Sequence, residues 1–151
     1  MATPLLQTKL YIPPVRPERV PRPRLIERLN ADPLSGRKLT LISAPAGFGK
    51  TTCILEWLDT LVLPVAWLSL DAADDDPGRF FTYLIAALQQ IDEGLGRDIE
   101  GVLRAGQIPP GEIISATLVN DMLAIDKAAN NTSLVLLLEW HGQRLLFTGD
   151  A

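Results

Sequence analysis

Apolar positions along this chain recur with two periods, and the change of period marks the elements. Lys38 to Ser43 is a short β-type run that ends in Ala-Pro-Ala-Gly-Phe-Gly. From Lys50 to about Leu61 the apolar positions Ile54, Leu55, Trp57, Leu58 and Leu61 fall on one side of a helix. Pro64 interrupts the chain, and Val65 to Leu70 reads as a second, buried strand. Asp71 to Asp76 is an acidic turn, with Asp76 suited to an N-cap and Pro77 to the first helical position. The helix that follows runs to about Ile91, with Phe80, Leu84, Leu88 and Ile91 at helical spacing. Residues 92–111 are punctuated by glycine and proline and are expected to form a loop. A third helix is predicted over Glu112 to Asp126, with Ile114, Leu118, Met122 and Ile125 on one face. Ser133 to Trp140 and Arg144 to Thr148 are strand-like runs separated by His141-Gly142-Gln143, the pattern of a hairpin.

The start of the chain has neither period. Residues 1–24 hold six prolines, so the segment is expected to be extended and cannot be a central strand or a long helix. A short helix near Arg24 to Asn30 and a turn at Asp32 to Arg37 follow. The order is strand, helix, strand, helix, helix, hairpin, without internal repeats. It argues for an α/β chain with a parallel, helix-covered sheet. Three regions are expected: a Pro/Arg-rich arm with its short helix at 1–37, a module at 38–126, and a strand-rich tail at 127–151.

Composition narrows the class. A chain of 151 residues that is 47% hydrophobic and 21% charged is too apolar for a disordered segment and fits one globular domain. Its densest apolar run, Leu134 to Leu138, is far below the ~18 residues of a membrane span. Prolines and charges interrupt the N-terminus early, against a signal peptide, and the cytoplasm is the expected compartment. A single cysteine, Cys53, excludes a disulfide framework, and a single histidine, His141, excludes a multi-histidine metal centre. Cys53 is read as a small buried helix residue. The net charge of −4 argues against a nucleic-acid-binding domain as a whole. Up to Arg28, however, six positive residues face two acids, so the arm is basic and the remainder strongly acidic. Such an arm touches DNA, or is solvated with its arginines on a bound anion or on the body.

The chemistry is concentrated in Ala44-Pro45-Ala46-Gly47-Phe48-Gly49-Lys50-Thr51. This fits a phosphate-binding P-loop with Ala44 in place of the first glycine. Gly47 and Gly49 let the backbone curl so that N–H groups around Ala46, Phe48 and Lys50 point at a phosphate. A helix opening at Lys50 adds its N-terminal dipole to the same anion. Lys50 would bridge the β- and γ-phosphates, Thr51 would offer its hydroxyl to Mg²⁺, and Thr52 would face the α-phosphate. ATP or ADP with Mg²⁺ is the expected ligand. The expected fold is P-loop NTPase-like: an incomplete three-layer α/β/α sheet with a C-terminal β-hairpin.

Several stretches together carry a resemblance. Leu6 to Leu10, Val20-Pro21-Arg22-Pro23-Arg24-Leu25, Leu39 to Thr52, Pro64 to Asp71 and Asp76-Pro77-Gly78-Arg79-Phe80 resemble the N-terminus of MalT-like, LuxR-family transcriptional regulators. The resemblance covers about residues 5–126. It implies the nucleotide-binding module of a signal-transduction ATPase, switching between a resting ADP state and an ATP state able to oligomerise. It places inducer sensing in a helical-repeat domain and DNA binding in a helix-turn-helix domain, neither of which these motifs contain. It also implies that the segment before the loop packs near adenine and ribose, making Val20, Arg22 and Arg24 candidate nucleotide contacts. Asp71 lies either toward the Mg²⁺ side of the site or in a solvated capping turn. Asp74 and Asp75 are expected to face solvent, and Trp67, Phe80 and Phe81 to lie in the core.

The resemblance changes character at the tail. The family's Walker B strand ends in paired aspartates, whereas Ser133 to Trp140 offers only Glu139 as a lone acid. Asn131 to Trp140 and Gly142 to Ala151 resemble instead a hairpin of the metallo-β-lactamase fold, whose Gly-Asp-Ala turn places a metal-bridging aspartate at Asp150. A catalytic zinc site takes about three protein ligands, more than Asp150 and His141 supply. The expectation is a shortened regulator module joined near Asp126 to Asn131 to a tail of other origin. A natural fusion, a frameshifted or assembled reading frame, or engineering would each produce such a joint. Nucleotide binding with slow or absent hydrolysis is the expected function, with Lys50 and Glu139 as the residues on which turnover would depend. The rivals are a remnant of a metal-dependent hydrolase and a fragment that binds nothing.

Overall fold

The computed structural model describes residues 5–15, 17–18, 20–31, 39–45, 47–129, 135–140 and 143–148. Most of the regular structure is helical: α1 (Pro23–Ala31), α2 (Lys50–Leu58), α3 (Pro77–Leu88), α4 (Arg97–Arg104) and α5 (Gly111–Ala129). The strands are β1 (Leu39–Ile42), β2 (Val65–Leu70), β3 (Val135–Trp140) and β4 (Gln143–Thr148), and short 3-10 turns cover Gln7–Lys9 and Ala72–Asp75. No helix among the described residues is long and apolar enough to cross a membrane.

The strands order as β1-β4-β3-β2. β2 and β3 are parallel, with Val65 opposite Val135 and Leu70 opposite Trp140. β4 runs antiparallel to both of its neighbours. The sheet is therefore mixed, where the element order argues for a parallel, helix-covered sheet with a C-terminal hairpin. The cause is the short connection: Trp140 pairs with Gln143, and a parallel crossover takes about a dozen residues or more. β1, β2 and β3 still share one direction, so their C-terminal ends lie along one edge of the sheet. A single register row crosses that edge through Ile42, Arg144, Glu139 and Ser69.

Side chains of β2 alternate between two apolar clusters, as strand geometry requires. Ala66 and Leu68 join Leu10, Tyr83, Ile85, Leu88, Leu95, Ile99, Ile114 and Leu118. Trp67 joins Ile26 and Leu29 of α1 with Cys53, Ile54, Leu55 and Trp57 of α2. Trp57 and Trp67 are fully buried, and the indole N–H of Trp57 donates to Asn30 Oδ1 at 2.8 Å. Phe80 and Phe81 are only partly buried, and their rings meet edge to face.

α3 starts as its sequence predicts, with Pro77 first and the Asp76 carboxylate accepting from the Arg79 N–H at 2.8 Å. α2 ends three residues early, because Thr60 and Leu61 bond back to Trp57 and Leu58 in tighter i→i−3 turns. The expected loop at 92–111 contains α4. Gly96, at φ 66°, caps it, Asp98 and Glu100 sit in the first turn, and Arg104 sits in the last. That charge order suits the helix dipole. Its apolar face is short, Ile99 with Leu103 against the core, and the glycines that bracket it obscure the period in the sequence.

Candidate functional site

β1 delivers the chain into the glycine loop, and α2 carries it away. Gly47 and Gly49 hold φ 82° and φ 71°, a region that costs an L-residue about 1–2 kcal/mol. The Phe48 N–H donates back to the Pro45 carbonyl at 3.4 Å, which turns the loop. Gly49 is the N-cap of α2, and the Cys53 N–H makes the first helical bond, to the Gly49 carbonyl, at 2.9 Å. The amide groups before Cys53 lie at the open, positive end of the helix. The Lys50 ammonium folds over this end and donates to the carbonyls of Ala44 at 2.5 Å and Pro45 at 2.9 Å. Phe48 is mostly exposed at the tip. Ala46 lies outside the described residues.

The arm closes against the same loop. Arg22 donates from Nη1 to the Phe48 carbonyl at 2.9 Å. Its guanidinium lies so close to Gly49 that a Cβ there would sit 2.7 Å from Nη2. The Arg22 N–H donates to Glu56 Oε1 at 3.3 Å, and its carbonyl accepts from Leu25 and Ile26 as α1 begins. Glu56 Oε2 is buried with no hydrogen-bond partner among the described residues. Burial pushes the Cys53 thiol above its ordinary value, against the pull of nearby Arg22 and with a push from Glu56. Cys53 is thus a protonated, apolar core residue. Val20 and Arg24 are exposed. Of the three arm residues singled out in the sequence, Arg22 is the one with a hydrogen bond to the loop.

The acids stand apart from the loop. Asp71 follows β2, three strands from β1, or about 14 Å at ordinary strand spacing. Its carboxylate accepts from the Ala73 N–H at 2.8 Å and pairs with Lys9 at 2.9 Å, and both bonds hold it below the usual carboxylate range. Asp74 is buried, contrary to its expected solvent-facing position. It receives Lys9 Nζ at 2.5 Å, Arg79 Nε at 3.0 Å and the Asp71 N–H at 2.8 Å. Burial opposes the charge on Asp74, but these bonds outweigh it and its pKa falls. Lys9, expected on a solvated arm, is buried beneath the turn and packs over the Tyr83 ring at 4.9 Å. Sequence reading had no signal for this pair, whose members lie 65 residues apart.

Glu139 sits on β3, two strands from β1, with β4 between. Asp150 and His141 lie outside the described residues. Among the described residues no three His, Cys, Asp or Glu side chains gather where they could hold a metal ion.

A stretch of this chain is similar to part of the MalT regulators. The HTH-type transcriptional regulator MalT of Cronobacter sakazakii is 42% identical over 90 residues, 60% of this chain and 10% of that protein. MalT of Yersinia enterocolitica is 42% identical over 85 residues, 56% of this chain and 9% of its own length. MalT of Serratia proteamaculans is 40% identical over 90 residues, 60% of this chain and 10% of its own. The chain spans about a tenth of the length of the curated relatives it matches. No family model matches the chain, and no solved structure matches it.

Proposed function

We propose that this chain is a nucleotide-binding switch module of a MalT-like regulator, taking ATP or ADP with Mg²⁺ at the glycine loop. The observation that carries the reading is the loop itself: two left-handed glycines open α2, and Lys50 is folded onto the loop's own carbonyls. Nothing beyond its chain neighbours lies within 4 Å of where a Gly47 Cβ would stand, so the turn is open on that side. In this reading the backbone of Ala46 to Gly49 cradles the phosphates. Lys50, now on the Ala44 and Pro45 carbonyls, would bind the β- and γ-phosphates, and Thr52 would serve the α-phosphate. Thr51 supplies a hydroxyl to Mg²⁺, which neutralises phosphate charge when bound. The family similarity and the P-loop spacing of Ala44 to Thr51 support the same assignment.

Binding without efficient turnover is the expected behaviour. Glu139 stands as a lone acid where the resemblance implies paired aspartates, so the set that would hold Mg²⁺ and activate water is incomplete. DNA contact and inducer sensing belong, in this proposal, to other regions of such a regulator. Calorimetry with Mg·ATP tests the reading. Wild type is expected to bind, and Lys50→Ala to bind about 100-fold more weakly, about 3 kcal/mol for lost charge-assisted bonds. Absence of heat with folded wild type would sink the proposal. Stoichiometric zinc after metal-free purification would favour a metal-hydrolase reading instead.

A further inference from the structure

Glu56 lies on α2 outside every motif of the loop, yet it meets the arm at the residue that touches the loop. Its Oε1 accepts the Arg22 backbone N–H, and Pro23 begins α1 immediately afterwards. The carboxylate therefore faces the positive N-terminal end of α1. From that fixed backbone the Arg22 side chain reaches Phe48, where it donates to a carbonyl of the loop, and lies close against Gly49. Oε2 is buried with no partner among the described residues, an arrangement that a purely structural hydrogen bond does not require. Through Oε1, Glu56 fixes the backbone from which the guanidinium crosses between α2 and the loop.

We infer that Glu56 is a positioning residue that acts through Arg22 to hold the glycine loop in the shape that receives phosphate. This rests on the nucleotide reading of the site for its purpose, but not for its geometry. Arg22 is the carrier and Phe48 the point of application. The role needs a long side chain with an N–H donor at 22, because what it meets is a carbonyl oxygen.

The test compares Arg22→Ala, Arg22→Lys, Glu56→Gln, Glu56→Ala and the double Arg22→Ala/Glu56→Ala with wild type. Amide hydrogen exchange across residues 44–52 is read in nucleotide-free protein, and Mg·ATP affinity is read separately. Arg22→Ala and Glu56→Ala are each expected to speed loop exchange about tenfold and to weaken ATP about tenfold. The double variant should be no worse than either single one, because the two act in series. Arg22→Lys should restore most of the protection. Glu56→Gln, which keeps an acceptor and serves as the reading should the alanine variant fail to fold, should fall between wild type and Glu56→Ala. Wild-type exchange in folded Glu56→Ala and Glu56→Gln would overturn the inference, as would additive effects in the double variant. If wild type binds no ATP while the exchange pattern holds, the nucleotide reading fails and the positioning role stands. If wild type binds ATP and exchange is unaltered, the positioning role fails alone.

Discussion

Two fastenings of the N-terminal arm among the described residues, at Lys9 and at Arg22, are built differently. At Lys9 a buried ammonium meets Asp74 and Asp71, and Arg79 completes the set. Both Asp74 oxygens are engaged there, one by Arg79 Nε and the other by Lys9 Nζ and the Asp71 N–H. At Arg22 one Glu56 oxygen is engaged and the other is not, and the guanidinium rests on a backbone carbonyl at 2.9 Å. A fully satisfied buried ion cluster resists rearrangement, because any move strands a charge. A partly satisfied one can change partners at small cost. The Lys9 end reads as a bolt, and the Arg22 end as the working contact.

The largest blow to the Arg22 side would come from its apolar support. Trp57→Ala removes a fully buried indole and its bond to Asn30, and should cost about 4 kcal/mol in denaturant unfolding. A loss below about 1 kcal/mol would mean that α1 is not held to α2 as described. On the other side, Lys9→Met keeps the aliphatic stem but strands buried Asp74. Chemical unfolding should show a loss of about 3 kcal/mol. An equal or greater stability in Lys9→Met would show that the bolt costs more in desolvation than it returns.

Acid should separate the two fastenings further. The folded-state pKa of Asp74 is depressed, so its contribution is complete above the unfolded value of about 4 and is lost as pH falls through the folded value. Lys9 is raised, since its bonds to Asp74 and Asp71 outweigh the opposing effect of burial. Its contribution is whole below about pH 10 and is lost only as pH rises through the folded value. Stability measured between pH 5 and pH 3 should therefore fall in wild type and fall less steeply in Asp74→Asn. Parallel slopes would remove Asp74 from the account.

The smallest effects distinguish the two loop glycines. Gly47→Ala meets open space and should cost only the strain of its backbone, about 1 kcal/mol in thermal unfolding. Gly49→Ala carries the same strain and also drives a methyl into the Arg22 guanidinium. It should cost more and should release the arm, visible as faster exchange at α1. Equal costs at the two glycines would argue that Arg22 does not press on the loop.

Much of the body could be read from sequence because its determinants are local. β2 needed only a buried apolar run, and α3 only Asp76 and Pro77 at its start. The loop glycines were legible because their spacing has a backbone purpose. What escaped was long-range or too short to stand out. The apolar face of α4 spans little more than one turn between glycines, and the Lys9–Asp74 pair joins residues whose local surroundings both read as solvated. Glu56 escaped too, since an acid on a helix is ordinarily a solvent-facing residue. The place of β4 between β1 and β3 depends on sheet assembly, which no single segment encodes.

That strand order has one more result. Among the described strands β1 is marginal, bonded to β4 alone. The loop therefore hangs from the rim of the sheet, and its steadiness is borrowed from the arm that leans on it. If the loop takes nucleotide as proposed, a change in what it holds has a short road to the arm through Arg22 and a long one across the strands.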